Sequence, residues 1–323
     1  MNRLQANICL LCVTLCWSAE VILYACVPDG VPAFATSCTT SLAGAALLVV
    51  PFRRRVAAAL REGGLRFVLA GLGLAALSAA YNTLYLYGMK SLDVASGAVT
   101  FSMTAVVLPV VLLTTRRRVA PETWLSVALV FAGIVLALGA SFRASNAPGL
   151  LVLVAGCLLR AVLIVFLSDL VKKRDPVAVA VLLEAFAGLL SLGGWAVEDP
   201  RLFAGLPASR TLVAAWAVYA YFIVAFATTL NALAMRRVTA ANATVVYALE
   251  IVFSLAWGAF LPAGIVERIA LSPRILLGAA LVVAGTLAEI GDFRGRRRAR
   301  ERERGLGAAE EAAGAAAGKE AVR

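Results

Sequence analysis

Apolar runs of roughly 20 residues, broken by short charged or turn-forming segments, recur along the chain, and each can cross a bilayer core of about 30 Å as a helix. They lie at 6–26, 33–51, 67–88, 94–115, 123–141, 149–170, 176–196, 212–234, 239–261 and 274–291. The pattern predicts an all-α integral membrane protein with ten transmembrane helices. The first run has a competing reading as a secretory signal peptide, because Arg3 precedes it and LYAC at 23–26 resembles a lipoprotein cleavage site. Tyr24 is too bulky beside such a site, Glu20 interrupts the apolar stretch, and further runs follow, so the segment reads as a span.

Charge adds orientation. Basic clusters occupy every second gap: RRR at 53–55 with Arg61 and Arg66, RRR at 116–118, KKR at 172–174, RR at 236–237 and the arginine-rich tail. Short loops rich in Lys and Arg stay cytoplasmic, which places both termini inside. The formal net charge of +11 is therefore a topology signal and not a nucleic-acid surface. At 62% hydrophobic and 15% charged residues, the composition excludes an aqueous globular core. The excess of Arg over Lys and the abundant Ala favour a bacterial plasma membrane over an organelle.

Cysteine usage narrows the chemistry. Cys9, Cys12, Cys16, Cys26 and Cys157 fall on apolar spans and Cys38 in a small-residue helix, where Cys acts as a small hydrophobe. The C-x2-C-x3-C of 9–16 lacks a fourth ligand, so neither a metal nor another cofactor is expected. The chain has no His, which removes the commonest general base and argues against an enzyme.

Comparison of the chain with itself reveals two halves. An offset of 146 aligns Thr83, Leu84, Met89 and Val106 with Thr229, Leu230, Met235 and Val252, and an offset of 152 aligns Leu125, Ala128, Ala132 and Gly133 with Leu277, Ala280, Ala284 and Gly285. The expected organisation is a five-helix repeat at 1–145, a second at 146–292 and a basic, Ala/Gly-rich cytosolic tail at 293–323. An odd number of spans per repeat makes the two halves enter the membrane from opposite sides, an inverted topology typical of secondary transporters. Small residues at GLGLAALSAA (71–80), AGIVLALGA (132–140) and GAALVVAG (278–285) predict close helix packing.

Charges inside the spans are costly and need a use. By depth these are Glu20, Arg160, Glu184 and Glu250, whereas Asp169 and Glu289 lie near helix ends and are expected to reach water. Arg160 and Glu184 lie at similar depth on consecutive spans and read as an ion pair or an anchor for an anionic group. Glu250 and Glu20 are then left without a basic partner, fit to exchange protons or to pair with a cationic solute. Polar and aromatic stripes accompany them: Tyr247, Glu250, Ser254 and Trp257 in span 9, Trp17, Glu20 and Tyr24 in span 1, Ser78, Tyr81, Asn82 and Tyr85 in span 3, Thr100 and Thr104 in span 4, and Thr228 and Asn231 in span 8. Interhelical hydrogen bonding would explain such stripes, and so would a small-molecule pocket.

YALEIVFSLAWG (247–258), Glu267 and LLGAALVVAG (276–285) resemble the second repeat of the EamA domain of the drug/metabolite transporter superfamily, and Pro109 in VVLPVVLL with VALVFAGIVLALG (127–139) resembles the first. The resemblance implies ten helices in two inverted repeats and export or exchange of small metabolites, often amino acids. Ile251 stands where a Pro commonly follows the Glu, and AGIVER replaces the usual Gly-Glu after span 9. AEVILY in span 1 resembles the membrane glutamate segment of the related small multidrug resistance proteins, which ranks Glu20 high. Glu250 and Glu20 are the expected coupling or recognition acids, with Tyr247, Tyr81, Asn82, Thr104, Asn231 and Trp17 lining the path. The expected partners are the lipid bilayer, a small-molecule substrate and protons, with a homodimer as the candidate assembly and no nucleic acid. A lipid or nucleotide-sugar carrier and a non-transporting membrane partner or sensor are the competing readings.

Overall fold

The computed structural model describes residues 1–28, 30–89, 103–116, 119, 121–138, 147–207, 209–260 and 272–290. Its described elements are helices α1 (Arg3–Ser18), α2 (Glu20–Ala25), α3 (Ala33–Met89), α4 (Thr104–Thr114), α5 (Pro121–Leu138), α6 (Ala147–Lys173), α7 (Pro176–Glu198), α8 (Arg210–Val218), a π-helical segment (Tyr219–Ala227), α9 (Thr228–Met235), α10 (Ala240–Tyr247), α11 (Glu250–Phe260) and α12 (Pro273–Ile290), with a 3-10 turn at Leu202–Gly205. The fold is all-α among these residues. Six of its helical stretches are long and apolar enough to cross a membrane, and Arg3–Ser18, Thr104–Thr114 and Thr123–Ala137 are shorter apolar helices. Glu267, Thr100, the 262–273 loop up to Leu271 and the 293–323 tail lie outside the described residues.

Predicted spans 2 and 3 form one element, α3, of 57 residues. At about 1.5 Å per residue it would measure some 85 Å, far more than one crossing requires. It folds back instead, through non-helical backbone at Phe52 and at Gly64 (φ 57°), where a residue without Cβ tolerates the left-handed region. The contacts trace the reversal. Phe34 lies against Gly194, Leu42 against Gly188 and Arg55 on Asp175, antiparallel to α7; the chain then returns with Phe67 under Arg174 and Gly71 against Leu182.

The turn between α6 and α7 secures this reversal. Asp175 caps α7, accepting from the backbone amides of Val177 (2.9 Å) and Ala178 (3.1 Å), and also accepts from the Arg55 guanidinium. The Arg174 guanidinium stands 5.9 Å from the Phe67 ring centroid. The basic loops at 53–66 and 172–174, both expected to be cytoplasmic, thus share one face of the bundle. Asp175→Ala removes the cap and an ionic partner together and is expected to cost about 0.5–2 kcal/mol, read as a lower SDS midpoint in mixed-micelle unfolding. An unchanged midpoint would show that the turn is held by its apolar contacts alone.

Apolar side chains face outward as well as inward, as they do in a protein surrounded by lipid. Leu151, Phe166, Phe222, Leu276 and Leu277 are exposed on the outside, while Asn7, Thr14, Arg160, Asn231 and Asn242 are buried. The main apolar cluster runs from Ala6 and Leu10 through Phe67, Val171 and Val179 to Met235 and Val238. A separate cluster of Ala35, Cys38, Trp195, Leu212 and Trp216 seals the other ends of α3, α7 and α8.

The expected close packing is present between α5 and α12. A Cβ on Gly133 would stand 2.5 Å from the Gly278 carbonyl oxygen, and one on Gly285 would stand 2.8 Å from that of Ser126. Gly71 likewise abuts Leu182, but Gly73 faces open space, so not every glycine of 71–80 serves packing. Glu289 differs from expectation: it is buried and accepts from the Thr123 hydroxyl at 3.4 Å instead of reaching water.

Candidate substrate site

Two spans are interrupted at their acids. After α1, Ala19 tightens into i→i+3 bonding, its amide donating to the Cys16 carbonyl (3.1 Å), and α2 begins at Glu20. After α10, the Leu249 amide donates to the Val246 carbonyl (3.1 Å) and α11 begins at Glu250. No proline causes either break. Local hydroxyls compete for carbonyls in both places: Ser18 donates to Leu15 O (2.7 Å), and Thr244 donates to Ala240 O (3.2 Å) and Ala241 O (2.9 Å). Such back-bonding bends helices. The stripe predicted for one continuous helix face in span 9 is therefore divided, with Tyr247 on α10 and Glu250, Ser254 and Trp257 on α11.

The third irregularity is the π-helical segment. Tyr219 and Thr228 are nine positions apart, which at about 3.6 residues per turn would set them half a turn apart. The wider i→i+5 winding brings both to the same side. There Tyr219 donates its hydroxyl proton to Glu20, and Thr228 donates to Glu184 at 3.1 Å.

These elements enclose a cavity of about 110 Å³, counted as space open to the centres of water molecules. Trp17, Glu20, Tyr81, Asn82, Arg160, Glu184, Asn231 and Glu250 all line it. A single water needs roughly 10–15 Å³ on this measure, so the space holds several waters or a small solute. Tyr247 lies behind the wall: its hydroxyl donates to Asn231 and its ring centroid is 5.2 Å from that of Trp17. Thr104 is also outside the wall, buried at the start of α4 where it hydrogen-bonds Cys157.

The ion pair differs from the one expected. Arg160 donates from Nη2 to Glu250 Oε2 at 3.4 Å, and Glu184 is held by the hydroxyls of Ser41 (2.9 Å) and Thr228 (3.1 Å). Equal depth on consecutive spans did not determine the partner, because the facing of each helix does. Arg160 also lies 5.4 Å from the Trp17 ring and 5.9 Å from the Tyr247 ring, inside the range of cation–π attraction. Side-chain exposure is 7% for Arg160 and 14% for Glu250, so the pair is largely shielded from water.

Ser37, Thr40, Ser41 and Tyr219 also line the cavity and were not singled out from sequence, and apolar side chains such as Leu163, Ile164 and Val224 fill the rest of the wall. The hydroxyl-rich TSCTTS at 36–41 inside an apolar run carried a legible signal for the first three. Nothing in the sequence marks the π segment that aims Tyr219. Among the described residues no group of three His, Cys, Asp or Glu is arranged to hold a metal ion.

Comparison with known proteins bears on this arrangement. The model of the EamA-like transporter family matches residues 4–139, the segment that carries α1 to α5. A solved structure titled only as the crystal structure of a protein shares the fold, with a TM-score of 0.71 at 20% identity over 91% of this chain and 98% of that one. No curated protein matches the sequence. The likeness to EamA-like transporters thus covers the first part of the chain, and six helical stretches among the described residues are long and apolar enough to cross a membrane.

Proposed function

We propose that the chain is a secondary carrier of ten transmembrane helices in two inverted five-helix repeats, moving a small metabolite, amino acid or drug-like solute out of the cell, or in exchange, by alternating access coupled to protons. The observation that carries this reading is the polar cavity at the bundle centre, walled by three acids and one arginine beside two broken spans. Broken helices around a midplane site are the usual architecture of such carriers.

The α5–α12 contact supports the inverted repeat. Under the offset of 152, Gly133 corresponds to Gly285 and Ser126 to Gly278, so the Gly133–Gly278 contact maps onto the Gly285–Ser126 contact. A pair of helices meeting through exchanged equivalent positions, and antiparallel, is what a two-fold axis in the membrane plane produces. The basic loops sharing one face support cytoplasmic termini in a plasma membrane.

The test is efflux from proteoliposomes loaded in turn with amino acids, organic cations and sugars under an imposed pH gradient. At least one solute is expected to leave at a rate set by the imposed proton gradient, and Glu250→Gln and Glu20→Gln are each expected to remove the dependence on the gradient. Retention of full gradient-driven efflux in the double variant would exclude these acids from coupling, and no efflux of any solute would favour a sensor.

A further inference from the structure

Arg160 is held like a receptor for a carboxylate, and Glu250 occupies that receptor poorly. Guanidinium and carboxylate groups commonly meet in two parallel hydrogen bonds of about 2.7–2.9 Å. Glu250 supplies one bond of 3.4 Å, whereas the Trp17 and Tyr247 rings, 5.2 Å apart, fix the guanidinium beside them. The acid is the first residue of α11, directly after the tightened turn, and it lines the same cavity as Arg160. The fixed member of the pair is thus the cation and the displaceable member is the acid.

Resting on the carrier reading above, the geometry points to a substrate that carries a carboxylate: it takes Glu250's place on Arg160, and Glu250 takes up one proton as it is displaced. The charges balance. Before binding, Arg160 and Glu250 neutralise each other; afterwards the solute carboxylate neutralises Arg160, and the proton from the open side neutralises Glu250. An ionised Glu250 left in the cavity would be a buried, unpaired charge, so substrate and proton bind together. The other groups facing Glu250 reinforce the linkage. Glu20 from α2 is an acid, while Tyr81 from α3 and Cys157 from α6 bring no second cation; Glu184 from α7 and Tyr219 from the π segment line the same cavity, and Tyr247 from α10 stands beside Arg160. Among the described residues, Arg160 is the one cation that lines the cavity.

Calorimetric titration of the purified protein with benzoate tests this, in two buffers of different ionisation enthalpy so that proton uptake is read with affinity. The wild type is expected to take up about one proton per benzoate where Glu250 is ionised in the empty protein, with Kd rising about tenfold per pH unit there. Glu250→Gln is expected to bind benzoate with no proton uptake and a flat pH profile. Arg160→Lys, which keeps the charge but loses the planar fork, is expected to weaken binding at least about tenfold. Arg160→Gln with Glu250→Gln, which removes both members of the pair together, is expected to stay folded and to bind no benzoate.

Benzoate binding without proton uptake in the wild type, or uptake that persists in Glu250→Gln, would overturn the inference. Benzylamine bound in preference to benzoate would overturn it too and leave a carrier of cations standing. Loss of benzoate binding in a protein that still shows gradient-dependent efflux would sink this inference alone; failure of both assays would sink the carrier reading as well.

Discussion

Arg160→Leu alone is expected to destabilise the protein by about 3–5 kcal/mol, and adding Glu250→Gln in the same chain is expected to recover most of that loss. The reason is asymmetric desolvation. The two side chains are 7% and 14% exposed, so the arginine's removal strands a carboxylate that neither water nor another cavity-lining cation can neutralise. Removing both charges puts a leucine and a neutral amide in place of the pair, whose burial is far less costly than that of a stranded carboxylate. SDS-induced unfolding in mixed micelles reads the difference. Losses that simply add in the double variant would mean that the two groups act independently and that the 3.4 Å contact carries no coupling.

The second large effect is expected at the α5–α12 contact. A Cβ on residue 278 would lie 2.6 Å from the Gly133 carbonyl oxygen and 3.1 Å from the Ala137 backbone nitrogen. Both obstacles belong to α5's backbone, which cannot step aside as a side-chain tip would, so the helices must separate. Gly278→Ala is expected to cost about 1–3 kcal/mol, with Gly278→Leu beyond that range, and Gly285→Ala, meeting Ser126 O at 2.8 Å, is expected to fall in the same range. Gly73→Ala is the control: a Cβ there meets nothing within 4 Å, and alanine is the better helix former. A Gly278→Ala protein as stable as the Gly73→Ala control would show that close approach of these helices contributes nothing.

Much of the fold was legible because lipid imposes a coarse code. Run length placed the helix ends within a few residues wherever they are described, the start expected for span 4 at 94 lying outside the described residues, and the small-residue runs at 132–140 and 278–285 pointed to close packing without naming the partner. The two breaks were not legible. Ala19 and the Ala248–Leu249 pair are ordinary helix residues, and only the neighbouring hydroxyls of Ser18 and Thr244, together with packing between spans, explain why the chain turns there. Ile251 stands where a proline commonly follows the Glu, which left the bend of span 9 open, and the break falls just before Glu250.

At the site, depth identified Glu20, Arg160, Glu184 and Glu250, and all four line one cavity. The partner of Arg160 was not legible, because pairing depends on helix rotation, which spacing within one span cannot supply. Arg160 turns toward Glu250, 90 positions away, and Glu184 toward Ser41 and Thr228. Thr104 illustrates the same limit. It falls on Glu250 under the offset of 146, so the repeat places it correctly along the axis, but it bonds Cys157 behind the cavity wall.

Alternating access is the central claim, and a single cysteine in the cavity tests it most directly. Ser78 lines the cavity from α3 and is buried. With the six native cysteines replaced, Ser78→Cys is challenged with a membrane-impermeant thiol reagent added to right-side-out vesicles or to inverted ones. The account predicts labelling from both faces, with a transported solute slowing one and speeding the other. Labelling from one face only, unaffected by any solute that binds, would contradict it.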